Sequence, residues 1–209
     1  TSFGTASDKT AIRAALAANP GRRHVLTTRV EHPAVKSLGE HLVKEGYQVT
    51  FVPVDRQGRL DLDYLYDHMT EDTAIVSVMW ANNETGVIFP VEQIARAAKE
   101  RGIVFHTDAV QAVGKIPIDL SSSAVDLLSL SGHKLHGPKG IGALYVRKGT
   151  KFSPFLIGGH QEGGRRGGTE NTAAIIGLGR AADFVSEHME EENTRVKALR
   201  DRLETGLLG

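Results

Sequence analysis

The stretch that decides the fold is Ser131-Gly132-His133-Lys134-Leu135-His136-Gly137-Pro138-Lys139-Gly140-Ile141-Gly142. Apolar residues dominate the chain just before it, at 125–130, and just after it, at 143–146. Two such runs predict two strands joined by a glycine-rich loop that carries Lys134. The loop is too short for the helical crossover that parallel strands need. We therefore predict that the second strand runs antiparallel to the first.

This loop places a lysine beside groups that can hold an anion. Glycine lets backbone approach a ligand closely, and Ser131 and His133 offer a hydroxyl and an imidazole just before Lys134. A lysine that has lost its proton can attack a carbonyl carbon and form a Schiff base. The alternative is an ordinary turn with a solvated lysine, which is the commoner case for such a loop alone. A P-loop is excluded because Pro138 stands where that motif needs lysine followed by serine or threonine.

Four more apolar runs predict strands at 25–28, 49–52, 74–80 and 103–107. Helical patterns separate them between Ser7 and Asn19, from Pro33 to Gly46, around 62–65 and at 91–101. Strand and helix alternate at the spacing of right-handed parallel crossover units. The sequence therefore predicts an α/β fold with a mostly parallel sheet and flanking helices.

Two details concern the helix ends. Ser7 is the predicted N-cap of the first helix. From Asn171 to the last residue the pattern is helical, and we predict two pieces with a break at 191–194.

Composition bounds the possible functions. The 209 residues are 40% hydrophobic and carry 25 basic and 25 acidic side chains, which argues against disorder and against nucleic-acid or membrane-surface binding. With no signal-peptide pattern and no long apolar run, we expect a cytoplasmic enzyme domain. The absence of cysteine excludes disulfides and thiolate metal sites within the chain. His133 and His136 lack a third ligand at suitable spacing, so we predict no metal site.

Several polar residues follow predicted strands, where ligands bind in open α/β sheets. Asp108 could keep a ring nitrogen protonated, or could simply cap a turn. Gln111 could form a hydrogen bond with a ring hydroxyl, and Asn83 could form one with the ring or with a substrate carboxylate. Ordinary polar loop positions are the alternatives for both. His32 could lie over a planar cofactor or move a proton, unless it is a solvated residue at a helix entry.

Two glycine-containing segments precede predicted helices. Gly4-Thr5 and Gly167-Gly168-Thr169 could each present backbone N–H groups to a phosphate. An ordinary helix cap is the alternative at both places.

Five segments together closely resemble the cysteine desulfurases of the class V aminotransferase type, in order and spacing. They are Glu31-His32-Pro33-Ala34-Val35, Ala81-Asn82-Asn83-Glu84-Thr85-Gly86, His106-Thr107-Asp108-Ala109-Val110-Gln111-Ala112-Val113-Gly114-Lys115, the 131–142 loop and Arg166-Gly167-Gly168-Thr169-Glu170-Asn171. The resemblance spans nearly the whole chain and is closest to the nitrogen-fixation type. It implies the large domain of a fold-type I enzyme that depends on pyridoxal 5'-phosphate.

The resemblance also implies residue roles. Lys134 would carry the cofactor as a Schiff base, with Asp108 on the pyridinium nitrogen and Gln111 on the ring oxygen. His32 would stack over the ring and handle protons, and Asn83 would hold the ring oxygen or the substrate carboxylate. The implied phosphate site consists of Gly4, Thr5, Ser131, Gly132 and His133, with Thr169 reaching the cofactor of the partner subunit in a homodimer.

The implied reaction converts L-cysteine to L-alanine and leaves the sulfur as a persulfide on an enzyme cysteine. An iron–sulfur scaffold protein would accept that sulfur for cluster assembly. Selenocysteine lyase is the nearest alternative, and a non-catalytic fragment that only mediates association is another.

The chain departs from the family pattern at two kinds of position. Phe3 stands where the family has glycine and Ala6 where it has glutamate, both at the phosphate end. The resemblance further implies a fragment without the N-terminal segment, the catalytic cysteine and the substrate-binding arginine. Residues 1–190 are then the cofactor-binding large domain, and 191–209 are a helix that leads toward a small C-terminal domain.

Overall fold

A computed structural model describes residues 1–209, and six strands form one sheet in the order β2-β1-β3-β4-β5-β6. The strands are β1 His24–Thr28, β2 Gln48–Val52, β3 Thr73–Ser77, β4 Val104–Asp108, β5 Leu127–Ser131 and β6 Gly142–Val146. Strands β1 to β5 pair in parallel, whereas β6 pairs antiparallel to β5. The predicted fold class and the antiparallel last strand are confirmed.

Five α-helices accompany the sheet. They are α1 Gly4–Ala18, α2 Pro33–Lys44, α3 Leu62–Asp67, α4 Val91–Glu100 and α5 Thr172–Leu208, and two 3₁₀ turns lie at Gly132–Leu135 and Gln161–Gly164. None of these helices is both long enough and apolar enough to cross a membrane.

The sheet is covered on both faces because successive side chains of a strand point to opposite sides. In β1, Val25 packs in the cluster formed with α1 and α2, and Leu26 packs in the cluster formed with α4. All five residues of β1 and of β3 are buried. This burial on both faces explains why the central strands lack the apolar–polar alternation of a half-exposed strand.

Two helix predictions are wrong. Helix α1 begins at Gly4, because the Phe3 carbonyl accepts the N–H groups of Ala6 and Ser7. Ser7 is therefore not an N-cap, and its hydroxyl instead donates to the Ala143 carbonyl on β6.

The predicted break at 191–194 is absent, because α5 is one continuous helix of 37 residues. The segment contains neither glycine nor proline. Thr194 Oγ1 donates to the Glu190 carbonyl one turn earlier. Asn193 Nδ2 donates to the carbonyl of Lys115, which lies outside α5. Thr194 is thus bonded within the helix and Asn193 is bonded to the chain beside it, so α5 continues through both residues. The domain boundary that we predict after residue 190 falls inside α5.

Gly142 gives the sharpest packing constraint at the start of β6. A Cβ atom there would lie 2.7 Å from the Leu130 carbonyl oxygen and 3.0 Å from the Phe3 carbonyl carbon. Both neighbours are backbone atoms, so neither can move without disturbing β5 or the entry to α1.

We expect Gly142→Ala to lower the free energy of unfolding by about 1–3 kcal/mol, the usual cost of overpacking. Gly21→Ala is the matched control, because a Cβ at Gly21 meets nothing within 4 Å. Urea unfolding of both variants measures the difference. Equal stability of the two variants would contradict the packing of β6 described above.

Candidate functional site

A cavity of 310 Å³ lies at the carboxyl edge of the parallel strands. Its lining consists of Phe3, Gly4, Thr5, Asp8, His32, Met79, Asn83, Asp108, Val110, Gln111, Ser131, His133 and Lys134. Nine of these were singled out in the sequence, namely Gly4, Thr5, His32, Asn83, Asp108, Gln111, Ser131, His133 and Lys134. Ligand sites are found at this edge of open α/β sheets. The roles of these nine residues toward a ligand remain predictions.

The turn that carries Lys134 is anchored on both sides. Ser131 ends β5, and its Oγ lies 2.9 Å from His133 Nδ1. Leu135 is buried directly after Lys134. Gly132 does not line the cavity, but a Cβ there would lie 2.8 Å from Ile141 Cγ2. Glycine at this position therefore lets the 3₁₀ turn pack against the start of the returning strand.

Asp108 ends β4 and forms part of the cavity wall. Its carboxylate Oδ1 accepts the Val110 N–H at 2.9 Å, and the side chain is almost fully buried. Burial raises the pKa of Asp108, while the Val110 N–H and the nearby His32 act in the opposite direction. A buried carboxyl of this kind favours a cationic partner in the cavity.

His32 is the N-cap of α2, as its position before Pro33 suggests. Its Nδ1 accepts the Ala34 N–H at 3.1 Å, which assigns the ring proton of the neutral imidazole to Nε2. Asn83 lies in the loop after β3, and the neighbouring Asn82 organises that loop. Asn82 Oδ1 accepts the N–H groups of Glu84 and Thr85.

The first turn of α1 supplies the remaining wall. Gly4 and Thr5 are the first residues of this 15-residue helix, and the first N–H groups of a helix have no intrahelical acceptor. A Cβ at Gly4 would lie 3.0 Å from Val110 Cγ2 and 3.4 Å from Ser131 Cβ. The close packing brings the positive end of the helix dipole to the cavity, which favours an anion there.

Sequence reasoning missed Asp8, a carboxyl that lines the cavity from α1. It is 1% exposed, and its Oδ1 has no hydrogen-bond partner. Burial, and then the charge of Asp108, raise the pKa of Asp8 well above its ordinary value. A signal was present, because Asp8 shares the helical face of Ala11, Ile12 and Ala15, which are buried.

His106 also escaped notice, and it lies within 3.7 Å of Asp8 Oδ1. Its Nδ1 is 2.8 Å from Ser77 Oγ and its Nε2 is 2.9 Å from Ser129 Oγ. Complete burial lowers the pKa of His106 to about 3, so the ring is neutral. His106 and Asp8 therefore form no ion pair.

Glu31 is the third buried acid of the region. Its Oε1 accepts from Thr28 Oγ1 at 2.9 Å and from the Met79 N–H at 3.0 Å. Burial raises the pKa of Glu31 to about 8, and the nearby Asp108 acts in the same direction. Its position directly before His32 is the only feature of the sequence that pointed to a part for Glu31 in this site.

Thr169, which was predicted to reach a partner subunit, belongs to a different cavity. It lines a separate space of 410 Å³ together with Arg165, Arg166 and residues of β6. The single chain therefore does not bring Thr169 to Lys134, and its role toward a partner subunit remains a prediction.

Comparison with known proteins adds independent information. The sequence model of the aminotransferase class-V family matches residues 1–209. The chain is 62% identical over 208 residues to the cysteine desulfurase NifS of Azotobacter vinelandii, covering all of this chain and 52% of the relative. It is 60% identical over 209 residues to a cysteine desulfurase of Gluconacetobacter diazotrophicus, with the same coverage. The chain thus spans about half the length of the curated relatives it matches.

Solved structures agree with the sequence relatives. A NifS-like protein superposes with a TM-score of 0.95 at 40% identity, covering 100% of this chain and 58% of the other. DndA from Streptomyces lividans superposes with a TM-score of 0.93 at 36% identity, covering 99% of this chain and 60% of the other. Sequence and fold lead to one conclusion: the chain belongs to the aminotransferase class-V family.

Proposed function

We propose that this chain is the cofactor-binding part of a cysteine desulfurase that depends on pyridoxal 5'-phosphate. The observation that carries the proposal is the convergence of Lys134, Asp108 and His32 on one cavity beside the N-terminus of α1. Relatives named cysteine desulfurase at 62% and 60% identity support the substrate class.

The residues present fit the cofactor at each of its ends. A primary amine suits the aldehyde, and Lys134 supplies one. A buried carboxyl suits a protonated ring nitrogen, and Asp108 supplies one on the cavity wall. The Ser131 and Thr5 hydroxyls and the first N–H groups of α1 suit the phosphate. The cavity volume of 310 Å³ falls in the range of small-molecule sites.

When bound, pyridoxal phosphate supplies an electron sink for a substrate carbanion. The chain's own residues then have separate tasks. Lys134 Nζ would hold the aldehyde until the substrate amine takes its place. Asp108 would accept a hydrogen bond from the ring N–H and stabilise that proton, and Gln111 would hold the ring oxygen. His32 lines the same cavity, where its imidazole would carry a proton to or from the substrate.

The wider activity belongs to the same proposal. L-cysteine would be converted to L-alanine, with the sulfur transferred to an enzyme cysteine persulfide and on to an iron–sulfur scaffold protein for nitrogenase cluster assembly. We further propose a cytoplasmic homodimer in which Thr169 reaches the partner subunit's cofactor. Thr169 lines a second cavity that does not contain Lys134, which is compatible with that role.

Circular dichroism tests cofactor binding directly. Pyridoxal phosphate is achiral, so dichroism at its absorption band arises only when the protein holds it. We expect such a band on titration of the chain. We also expect Asp108→Asn to weaken binding about tenfold or more, since a hydrogen bond to a charged group contributes about 1.5–3 kcal/mol.

Asp67→Asn is the control, because Asp67 is an exposed aspartate on α3. Unchanged affinity in Asp108→Asn would remove Asp108 from the cofactor site. The absence of any induced band in the unmodified chain would contradict the proposed function.

A second prediction follows from the absence of cysteine in the 209 residues. Storage of sulfur as persulfide requires a thiolate that attacks the substrate sulfur. We therefore expect L-cysteine to change the spectrum of the cofactor-loaded chain without sustained formation of alanine. Alanine measured by mass spectrometry should not exceed one equivalent per chain above a free-cofactor control. Many equivalents above that control would show that the assigned reaction is wrong.

A further inference from the structure

The Glu31 carboxyl joins two segments that both contribute to the cavity wall. Its Oε1 accepts the Met79 N–H at 3.0 Å and the Thr28 hydroxyl at 2.9 Å. Met79 lines the cavity, and so does His32, the residue after Glu31. One buried side chain therefore ties the segment before α2 to the segment after β3.

The sheet explains why a side chain is needed at this point. β1 ends at Thr28, where the chain turns away, whereas the backbone after β3 continues along the sheet. The N–H groups of Val78 and Trp80 donate to the carbonyls of His106 and Asp108 on the β4 side. Because these groups alternate along a strand, the Met79 N–H faces the β1 side, beyond the end of that strand.

The Glu31 carboxyl thus takes the place of a missing β1 carbonyl. Without it, the Met79 N–H would be a buried donor with no partner, since Met79 is 1% exposed. A second link joins the same two segments, from Asn82 Nδ2 to the Val30 carbonyl at 3.0 Å. The turn at 29–32 is therefore held to the segment after β3 at Val30 as well as at Glu31.

We propose that Glu31 is a positioning residue that sets the place of the His32 imidazole over the cavity by fixing this turn to Met79. The proposal rests on the proposed function, in which His32 contacts the cofactor. Glu31 itself does not line the cavity. It acts through His32 and Met79.

Glutamine is the conservative replacement. Burial raises the pKa of Glu31 to about 8, so the carboxyl is mostly protonated at neutral pH, and a carboxamide has the same charge and shape. Its oxygen can accept both hydrogen bonds that Oε1 accepts. Glu31→Ala removes both acceptors, and Glu84→Ala is the matched control because Glu84 is exposed on the neighbouring loop.

The experiment compares these variants at pH 7 by three measurements. Amide hydrogen exchange reports the Met79 N–H, NMR of the imidazole reports His32, and induced circular dichroism gives the affinity for pyridoxal phosphate. We expect Glu31→Ala to speed exchange at Met79 by about tenfold or more, since a buried donor left unpaired costs about 1–3 kcal/mol. We also expect a shifted His32 signal and an affinity weaker by about tenfold.

Rescue distinguishes positioning from mere stability. We expect Glu31→Gln to restore all three readouts to within about twofold, and Glu84→Ala to leave them unchanged. An unshifted His32 signal in Glu31→Ala, even with faster exchange at Met79, would overturn the proposal. So would a failure of glutamine to restore the His32 signal.

A further variant covers the case in which Glu31→Ala does not fold. Thr28→Val removes the hydroxyl that donates to Oε1 and accepts the Val30 N–H, but it keeps the Met79 contact, so we expect a smaller shift of the His32 signal. No shift in that variant would overturn the proposal. If the unmodified chain binds no cofactor, the proposed function fails, while hydrogen exchange and the His32 signal still decide the role of Glu31.

Discussion

Parallel pairing of β1, β3, β4 and β5 is the constraint on which the rest of the molecule depends. It brings the carboxyl ends of these strands to one edge, although the residues that follow them lie far apart in sequence. His32, Asp108 and Lys134 meet there for that reason. The antiparallel β6 then brings the chain back beside the entry to α1, where Ser7 donates to Ala143. Helix α1 is thereby aligned with its N-terminus at the cavity.

Buried acids are the second organising feature of this edge. Burial raises the pKa of Asp8, Glu31 and Asp108 alike. Of the three, Asp108 combines a backbone N–H donor with the nearby His32, both of which favour its charged form. Asp8 Oδ1 has no hydrogen-bond donor, and burial raises the pKa of Glu31 to about 8 although Thr28 and Met79 donate to it. Asp108 is therefore the acid of the three that suits a cation in the cavity best.

The sequence predicted the fold well wherever one local signal decided the element. Apolar runs located all six strands, and the short loop after β5 required an antiparallel return. The predictions failed where tertiary contacts decide. Asn193 lies in the segment where we predicted a break, yet it bonds to Lys115 from within α5. Asp8 and Glu31 were not predicted to support the cavity, and only the helical face that Asp8 shares with Ala11, Ile12 and Ala15 indicated burial. The residues around the cavity were found through motif resemblance, since each signal alone had an ordinary alternative.

Reductive trapping is the most direct measurement of the central claim, that this cavity holds pyridoxal phosphate on Lys134. Borohydride reduction makes the bond between the cofactor and its lysine permanent, and peptide mass mapping then locates the modified residue. We expect the modification on Lys134, which lines the cavity. Lys139 in the same loop does not line it and serves as an internal control. Modification of Lys139 in place of Lys134, or of no lysine in particular, would contradict the claim.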